Sequence, residues 1–275
     1  MAAGAVPFDP GTPNVARIYD YWLGGKDNFA ADREVAERIC ALYPEMPVYI
    51  RRNRQFILAA VRRAACDGIT QFIDLGSGLP ARPSVHEAAR EIAEDARVAY
   101  VDHDPVVVSH AAALLAKGTG LAVTRQDLTD PAAVLADPAV RAVHDPAVPS
   151  AIILGYIVHF MAPDQARTLI ASWQDAVPAA SWFIMSAGRN ESPERMAEFA
   201  RGYTAAELFN HTPQVFATFF GGLELVRPGI TEADCWVRGV EGSPPPAEGW
   251  VMCGAGVKPL RPSLPEASSH GEPAD

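Results

Sequence analysis

The sequence predicts an α/β sandwich in which helices cover both faces of a mainly parallel sheet, with a helical cap at the N-terminus. From residue 71 to residue 186, short apolar segments alternate with segments of helical periodicity. That alternation is typical of a parallel sheet with crossover helices. Residues 1–66 come before the first strand and contain three helical segments, which need a surface on which to pack.

Composition limits the classes of function. The chain has 275 residues, 49% of them hydrophobic, enough for one substantial α/β domain with additions. A formal net charge of -10 argues against long nucleic acid and anionic membranes as partners, because both require a basic surface. Residues 1–10 do not resemble a signal peptide, and the longest apolar run, residues 151–158, is too short to span a bilayer. We expect a cytoplasmic protein, and the scattered cysteines indicate no metal site.

The N-terminal cap is predicted as three helices after a loose arm. Thr12-Pro13 is a favoured helix start, and Gly24-Gly25 ends that helix. The second helix covers about residues 30–42, and the third runs from about residue 47 to residue 66. The third helix is rich in arginine, and we expect these side chains to form a solvated face: Arg51, Arg52, Arg54, Arg62 and Arg63.

Five strands follow in alternation with helices. The strands are predicted at residues 71–75, 97–102, 121–127, 151–155 and 181–186. The helices between them cover residues 84–95, begin at Asp104-Pro105 and Asp130-Pro131, and cover residues 164–176. The apolar fourth strand indicates a central position covered on both faces.

The alternation changes after the fifth strand. Residues 191–220 are predicted as a helical insertion, with starts at Ser192-Pro193, Thr204-x-x-Glu207 and Thr212-Pro213. Strands are predicted at residues 223–226 and 250–257, with residues 235–237 as a further extended segment. We therefore divide the chain into a cap (1–66), an α/β domain (67–258) and a disordered, proline-rich tail (259–275).

A glycine turn follows the first strand. Gly76 and Gly78 allow a sharp turn and the close approach of a ligand to the backbone. The sequence from Gly76 to Ala81 also fits the dinucleotide pattern Gly-x-Gly-x-x-Ala. Asp74 places a negative charge at the same strand end, which favours a ligand with a positive group over one with a pyrophosphate.

Three successive strands are predicted to end in carboxylates: Asp74, Asp102 and Asp127. The carboxyl ends of parallel strands line one crevice. There the three acids suit an adenosyl ligand: the first faces an ammonium, the second accepts from both ribose hydroxyls, and the third accepts from an adenine amino group. Hydrogen bonds to ionised acceptors are stronger than neutral ones.

The segment Asp74-Leu75-Gly76-Ser77-Gly78 resembles the first motif of class I S-adenosylmethionine-dependent methyltransferases. Further marks are similar to a bacterial family of S-adenosyl methyltransferases of unknown function: residues 16–28, Asn53-Arg54-x-Phe56, residues 71–80 and Tyr100-Val101-Asp102-x-Asp104-Pro105. The resemblance implies a Rossmann-like sandwich with seven strands, one of them antiparallel. Ala81 stands where the family pattern often has threonine.

The resemblance implies S-adenosyl-L-methionine as cofactor and S-adenosyl-L-homocysteine as product. The residues expected to bind it are Arg17, Tyr19, Lys26, Asp74, Gly76, Ser77, Gly78, Leu79, Asp102, His103, Asp127, Leu128, Gly155 and Tyr156. Because the three acids cannot bind a carboxylate, we expect Arg17 and Lys26 to meet the methionine carboxylate. The first helix and its Gly24-Gly25 turn are then expected to form a lid over the cofactor; the alternative is a structural cap packed on the outside of the sheet.

The acceptor side is less specific. The segment from Gly155 to Phe160 follows the fourth strand and resembles small-molecule O-methyltransferases, while the Asn/Asp-Pro-Pro-Tyr motif of amide and base methylation is missing. His159 is the candidate catalytic residue, either orienting an acceptor or taking its proton. We expect methyl transfer to a small molecule. An NAD-dependent oxidoreductase and a non-catalytic S-adenosylmethionine or S-adenosylhomocysteine binder are the alternatives, and the acceptor, the general base and the oligomeric state are left open.

Overall fold

Three helices form the N-terminal cap, as predicted. The computed structural model describes residues 9–115, 118–189, 192–239 and 251–260. The cap helices are α1 (Val15–Leu23), α2 (Ala30–Leu42) and α3 (Met46–Cys66). The predicted start of α1 was wrong: Asn14 caps it by accepting from the Arg17 amide at 3.2 Å. The Thr12 hydroxyl donates instead to Asp9.

The first five strands form a parallel sheet with β1 in its interior. They are β1 (Gln71–Leu75), β2 (Arg97–Asp102), β3 (Leu121–Arg125), β4 (Ala151–Gly155) and β5 (Trp182–Gly188). Their order is β3-β2-β1-β4-β5, and every neighbouring pair is parallel. The interior position of β4, between β1 and β5, agrees with prediction. The third strand ends earlier than predicted, so Asp127 lies in the loop two residues beyond it.

The crossover segments run between these strands. They are α4 (Val85–Arg90), α5 (Pro105–Leu115), α6 (Pro131–Ala136), α7 (Pro138–Arg141), a short 3-10 turn (Val158–Phe160) and α8 (Pro163–Ala176). Helix α4 begins at a capping box, in which the Ser84 amide donates to the Glu87 carboxylate and the Glu87 amide donates to the Ser84 hydroxyl. This helix is shorter than predicted because the chain turns into β2, where Arg97 donates its amide to Thr70 at 2.8 Å.

The C-terminal part completes the sheet. It contains α9 (Pro193–Gly202), α10 (Pro213–Thr218), β6 (Glu224–Leu225), β7 (Thr231–Glu232), α11 (Ala233–Arg238) and β8 (Val251–Val257). The strand order continues β5-β8-β6, and β7 also pairs with β8. Strand β8 is antiparallel to all three neighbours. The described residues thus form eight strands with one reversed, where seven were predicted.

Two predictions in this part were wrong. Thr204-x-x-Glu207 does not begin a helix, because residues 203–212 have no regular structure. Residues 235–237 belong to α11 rather than to a strand. The edge of β8 is occupied by β6 and β7, and Trp236 packs edge-on against Phe56 of α3 at 5.1 Å. Of the tail predicted to be disordered, residues 259–275, residues 261–275 lie outside the described residues.

Hydrophobic clusters on the two faces of the sheet make the three layers. One cluster joins the cap helices to the sheet, with Ile18, Ile50 and Phe56 among its buried members. The other lies under α8 and α10 and includes Trp173 and Phe216. The cap therefore packs on the sheet and leaves the carboxyl ends of β1, β2 and β4 open to one crevice. No described helix is long and apolar enough to cross a membrane.

Candidate active site

A cavity of about 610 Å³ lies at the carboxyl ends of the parallel strands. Ligand pockets typically enclose roughly 300–1,000 Å³. Every predicted site residue lines this cavity except Arg17 and Lys26. The predicted residues that line it are Tyr19, Asp74, Gly76, Ser77, Gly78, Leu79, Asp102, His103, Asp127, Leu128, Gly155, Tyr156 and His159.

The glycine turn after β1 forms one wall. Gly76 and Gly78 have φ values of 65° and 63°, a conformation that favours glycine. The amides of Gly76 and Ser77 donate to the Val101 carbonyl at 2.8 and 3.1 Å, which ties the turn to β2. A Cβ on Gly76 would lie 2.5 Å from Ile157, whereas one on Gly78 would find only Ala16 at 4.0 Å. The second glycine thus leaves its backbone open to the cavity.

Asp74 and Asp102 are buried at the ends of β1 and β2. Burial raises the pKa of Asp74 to about 6, while Arg54 lowers it and Asp102 raises it. Asp102 accepts from the amides of Gly78 and Asp104, both at 3.0 Å. Burial also raises the pKa of Asp102, against the effect of those two bonds. Two desolvated carboxyls side by side favour a ligand that brings a positive charge or hydrogen-bond donors.

Asp127 lies at the rim of the cavity, where its side chain is exposed. Its Oδ1 accepts from the Thr129 amide at 2.8 Å and from the Thr129 hydroxyl at 2.7 Å. These bonds lower the pKa of Asp127, so it is ionised at neutral pH. Leu128 beside it is held through its carbonyl by the Trp173 indole at 2.8 Å. The exposed ring of His103 lines the same rim.

Arg54 is the cation that faces this part of the cavity. Its Nη2 donates to the carbonyls of Pro83 at 2.6 Å and Ala81 at 3.3 Å. Its Nε is buried and has no hydrogen-bond partner among the described residues. The prediction that Arg54 lies on a solvated face is wrong. The pattern Asn53-Arg54-x-Phe56 was the available signal, since Asn53 and Phe56 are fully buried.

Arg17 and Lys26, which were expected to bind the methionine carboxylate, do not line the cavity. Arg17 is 3% exposed, and its Nε donates to Asp32 at 2.7 Å. Its Nη2 donates to the Thr12 carbonyl at 2.6 Å, so the guanidinium joins α1 to α2. Lys26 is exposed in the turn after α1. Neither residue lines the cavity, and the helix periodicity could not distinguish Arg17 from a ligand-binding arginine.

Helix α1 nevertheless covers the crevice. Asn14 donates from Nδ2 to Asp104 at 2.5 Å, which fastens the start of α1 to the loop after β2. Tyr19 lines the cavity and accepts from Asn53 Nδ2 at 2.9 Å. Val15 and Ala16 also line the cavity, whereas Gly24 and Gly25 do not. The body of α1, rather than its terminal turn, is therefore the cover.

The cavity has two chemically different ends. We call the part lined by Arg54, Asp74, the glycine turn, Asp102, His103, Asp127 and Leu128 the polar end. The aromatic end is lined by Tyr19, Trp22, Tyr156, His159, Phe160, Phe199, Tyr203 and Phe209. Tyr19, Tyr156 and His159 of the second set were predicted from the sequence. Three of the other five lie in residues 192–209, where the sequence showed only helix starts: Phe199, Tyr203 and Phe209.

The rings of the aromatic end pack against one another. The Tyr156 ring lies 6.0 Å from Tyr19 and 4.5 Å from His159, and His159 lies 4.2 Å from Phe160. Tyr203 stacks on Trp22 at 6.2 Å and on Phe199 at 5.7 Å. The wall therefore combines α1, the segment after β4 and the region around α9.

Tyr156 occupies a strained backbone conformation at the junction of the two ends. Its φ of 63° costs a non-glycine residue about 1–3 kcal/mol. The amide donates to the Ser186 hydroxyl at 2.9 Å, which holds the residue in place. Gly155 before it allows close packing, because a Cβ there would lie 2.5 Å from Ile57. Such strain is found where a side chain must be aimed at a ligand.

His159 is buried and neutral. Its Nδ1 accepts from the Gly188 amide at 3.2 Å, which assigns the ring proton to Nε2. Burial lowers the pKa of His159 to about 3, and the nearby His211 adds to that effect. With Nδ1 occupied, the group that His159 offers is a hydrogen-bond donor. Of the two predicted roles, orienting an acceptor fits this geometry and taking its proton does not.

Two further observations complete the site. Arg189 follows β5, lines the aromatic end and is 2% exposed; no motif in the sequence had indicated it. Within the described ranges no group of three or more His, Cys, Asp or Glu side chains is placed to hold a metal ion.

Comparison with known proteins gives a consistent result. A family profile described as S-adenosyl methyltransferase matches residues 2–259. A candidate methyltransferase from Thermobifida fusca YX is 36% identical, with a TM-score of 0.85 over 94% of this chain and 100% of that chain. A DUF574 family protein from Streptomyces avermitilis MA-4680 is 34% identical, with a TM-score of 0.83 over 91% of this chain and 99% of that chain.

More distant structures share the fold. An O-methyltransferase family 2 protein from Planctomyces limnophilus DSM 3776, solved with apigenin, is 15% identical, with a TM-score of 0.51 over 83% of this chain and 66% of that chain. No curated protein matches the chain.

Proposed function

The chain belongs to the S-adenosyl methyltransferase family, and from this premise we propose that it transfers the methyl group of S-adenosylmethionine to a small organic acceptor. One observation carries the proposal: the strand-end carboxylates and the glycine turn share a single cavity with an aromatic end, under α1. Cofactor and acceptor can thus lie in contact inside one cavity. A cavity of this size suits a small molecule better than a polymer.

The polar end fits the methionine part of the cofactor. That part carries an ammonium and a carboxylate. Asp74 is a buried carboxyl beside Arg54, and Arg54 has a buried Nε that lacks a partner among the described residues. A zwitterion satisfies both groups, because its ammonium faces Asp74 and its carboxylate accepts from Arg54. Charge-assisted bonds of this kind are the stronger ones.

The adenosine part fits the neighbouring strand ends. Asp102 would accept from the ribose hydroxyls, and the open backbone of Gly78 leaves room for the sugar. Asp127 would accept from the adenine amino group, between the His103 ring and the Leu128 side chain. Leu79 and Ser77 complete the lining. These assignments follow the strand order, since β1, β2 and β3 are neighbours.

The bound cofactor supplies a methyl group on a positively charged sulfur, which makes the methyl carbon electrophilic. The protein's part is then to align the acceptor and exclude water, and alignment alone can supply a large share of the acceleration. Tyr19 and Tyr156 lie at the junction of the two ends, where such alignment is needed. His159 would orient the acceptor through Nε2–H.

The sequence leaves two alternatives to methyl transfer. Family membership decides against an NAD-dependent oxidoreductase. The site agrees, because the pyrophosphate of NAD would lie beside the buried carboxyl of Asp74, and two negative groups repel each other. A protein that binds the cofactor without transferring methyl groups would have the same polar end. Such a protein would differ from a methyltransferase only because it methylates no acceptor.

The test combines binding with transfer. Titration calorimetry of the full chain with S-adenosylmethionine, S-adenosylhomocysteine and NAD should show binding of the first two and none of NAD. Metabolite extracts incubated with the protein and methyl-labelled cofactor should yield a labelled small molecule. Binding of NAD alone would overturn the proposal. Cofactor binding without transfer to any extract component would favour the non-catalytic alternative.

A further inference from the structure

Strand β5 extends further than its neighbour β4 at the carboxyl end of the sheet. The register pairs Gly155, the last residue of β4, with Ser186 of β5. Ala187 and Gly188 therefore lie beyond β4, although β8 still pairs with them on the other side. Backbone groups on the uncovered side of a strand need partners from outside the sheet. The segment that follows β4 bonds to this uncovered edge.

Two residues of the aromatic end are held by this edge. The Tyr156 amide donates to the carbonyl of Ser186 at 3.2 Å and to its hydroxyl at 2.9 Å. The Gly188 amide donates to His159 Nδ1 at 3.2 Å. The rings of Tyr156 and His159 lie 4.5 Å apart, edge to face, and both line the cavity together with Gly188. The end of β5 therefore positions both side chains.

Gly188 has no room for a side chain. A Cβ there would lie 2.8 Å from the hydroxyl oxygen of Tyr156 and 3.2 Å from its Cζ, and real Cβ atoms essentially never approach within 3.0 Å. Tyr156 is not free to retreat, because its strained backbone is bonded to Ser186. Gly188 is not among the residues with positive φ. The contact with Tyr156, rather than the backbone conformation, therefore explains the glycine.

The amide of Gly188 has a separate effect on His159. A neutral imidazole nitrogen that accepts a hydrogen bond carries no proton, so the proton of His159 lies on Nε2. Burial lowers the pKa of His159 to about 3, so the ring is neutral near pH 7. An acceptor molecule held at Nε2 must then offer a lone pair. The two effects are separable, because Gly188→Ala fills the space beside Tyr156 and keeps the amide.

We propose that Gly188 is a positioning residue for methyl transfer, an inference that rests on the proposed function. Its amide keeps the His159 proton on Nε2, and its bare Cα leaves the space that the Tyr156 hydroxyl occupies at the junction of the two ends. Gly188 acts through these two side chains, so its substitution should change the rate of transfer more than the binding of the cofactor. A residue that served packing alone would affect stability and leave transfer by the folded protein unchanged.

The first experiment locates the proton of His159. Long-range proton–nitrogen NMR spectra of the full chain, labelled with ¹⁵N-histidine, distinguish the two neutral forms of the ring, and His159→Gln identifies its signal. We expect the proton on Nε2 in both the wild-type chain and Gly188→Ala, with no titration between about pH 8 and pH 5. A proton on Nδ1, or titration near the ordinary pKa of 6.5, overturns the role of the amide. This measurement requires no acceptor.

The second experiment compares Gly188→Ala with a matched control, Gly254→Ala. Gly254 lies on β8 opposite Met185 of β5, and a Cβ there would lie 3.0 Å from Phe220, a ring that does not line the cavity. Both variants press a methyl group against an aromatic ring, so both should lower the melting temperature. We expect only Gly188→Ala to slow transfer at saturating cofactor, by at least about tenfold, because a misplacement of about 1 Å can cost roughly 100-fold.

Transfer is measured on the extract component that the wild-type chain labels, and calorimetry should show a similar Kd for S-adenosylhomocysteine in all variants. Adding Tyr156→Phe to Gly188→Ala removes the oxygen at 2.8 Å and leaves Cζ at 3.2 Å as the nearest contact. This double variant should recover the rate of Tyr156→Phe alone. Wild-type transfer in Gly188→Ala, or no recovery in the double variant, overturns the inference. Absence of label with the wild-type chain contradicts the proposed function instead.

Discussion

The polar and aromatic ends of the cavity differ in how the chain builds them. Apart from Arg54 of α3, the polar end comes from the carboxyl ends of three neighbouring parallel strands and the loops after them, which carry Asp74, Asp102 and Asp127. The aromatic end combines α1, the segment after β4 and the region around α9. The stacked rings of Trp22 and Tyr203, for example, come from residues far apart in the sequence.

The difference teaches which part of a site local sequence can specify. A parallel sheet wound in one direction brings consecutive strand ends to one crevice, so a motif on each strand predicts a shared site. The contacts between Trp22, Phe199 and Tyr203 depend on how the cap packs against α9. The first end is therefore a property of the fold, while the second can change its chemistry without altering the sheet.

The largest expected effect concerns the distinction between Arg17 and Arg54. Arg17→Met removes one partner of a buried ion pair with Asp32, and breaking such a pair costs about 3–5 kcal/mol of stability. Arg54→Met loses hydrogen bonds to two carbonyls but no buried ion pair, so it should cost less stability than Arg17→Met, and it should weaken cofactor binding. Thermal or urea unfolding and calorimetry on both variants check this. If Arg17→Met were stable but bound the cofactor more weakly, Arg17 would have to be a cofactor-binding residue after all.

The second effect sharpens the assignment of Asp102 at the polar end. Asp102→Ala should weaken cofactor binding by about 1.5–3 kcal/mol, the range for hydrogen bonds to a charged group, or roughly 10- to 150-fold in Kd. Asp145→Ala is the matched control, because Asp145 is an exposed carboxylate that also accepts from a backbone amide. An unchanged Kd in Asp102→Ala would remove the ribose assignment.

The third effect is the pH dependence of binding. Burial raises the pKa of Asp74 from its ordinary value of 3.8 to about 6, and a bound ammonium requires the ionised form. Cofactor affinity should therefore be about tenfold weaker at pH 5 than at pH 7.5. Asp102 adds in the same direction, because burial raises its pKa as well. Titrations across this range test the expectation, with Asp74→Asn showing a flatter profile.

The same pKa shift has the opposite consequence for the protein without cofactor. The folded chain holds the Asp74 proton more tightly than the unfolded chain does. The free energy of unfolding should then fall as pH rises from 3.8 to about 6. At neutral pH, Asp74→Asn should raise the melting temperature while weakening cofactor binding. A lower melting temperature in this variant would mean that Asp74 stabilises the fold.

The smallest effect is expected at Lys26. The side chain is exposed and does not line the cavity, and surface substitutions usually change stability by less than about 0.5 kcal/mol. Lys26→Ala should leave both the cofactor Kd and the melting temperature unchanged. A higher Kd would mean that the polar end includes the turn after α1, and that this turn covers the cofactor as first predicted.

Sequence alone predicted the sheet better than the helices around it. Strands such as Gln71–Leu75 and Ala151–Gly155 were placed correctly, because they are apolar segments bounded by turn residues. Residues 235–237 were misassigned, because a short apolar run fits a strand or a helix until the occupancy of the β8 edge is known. Helical spacing also failed to separate Arg17 from Arg54, since one faces α2 and the other the crevice.

A crystal structure of the S-adenosylhomocysteine complex tests the division of the cavity most directly. The account predicts the ribose at Asp102, the adenine between His103 and Leu128, and the methionine end at Asp74 and Arg54. The sulfur should then point toward Tyr156, with the aromatic end left for the acceptor. Adenine stacked among Trp22, Phe199 and Tyr203, or a methionine carboxylate bound by Arg189, would contradict it.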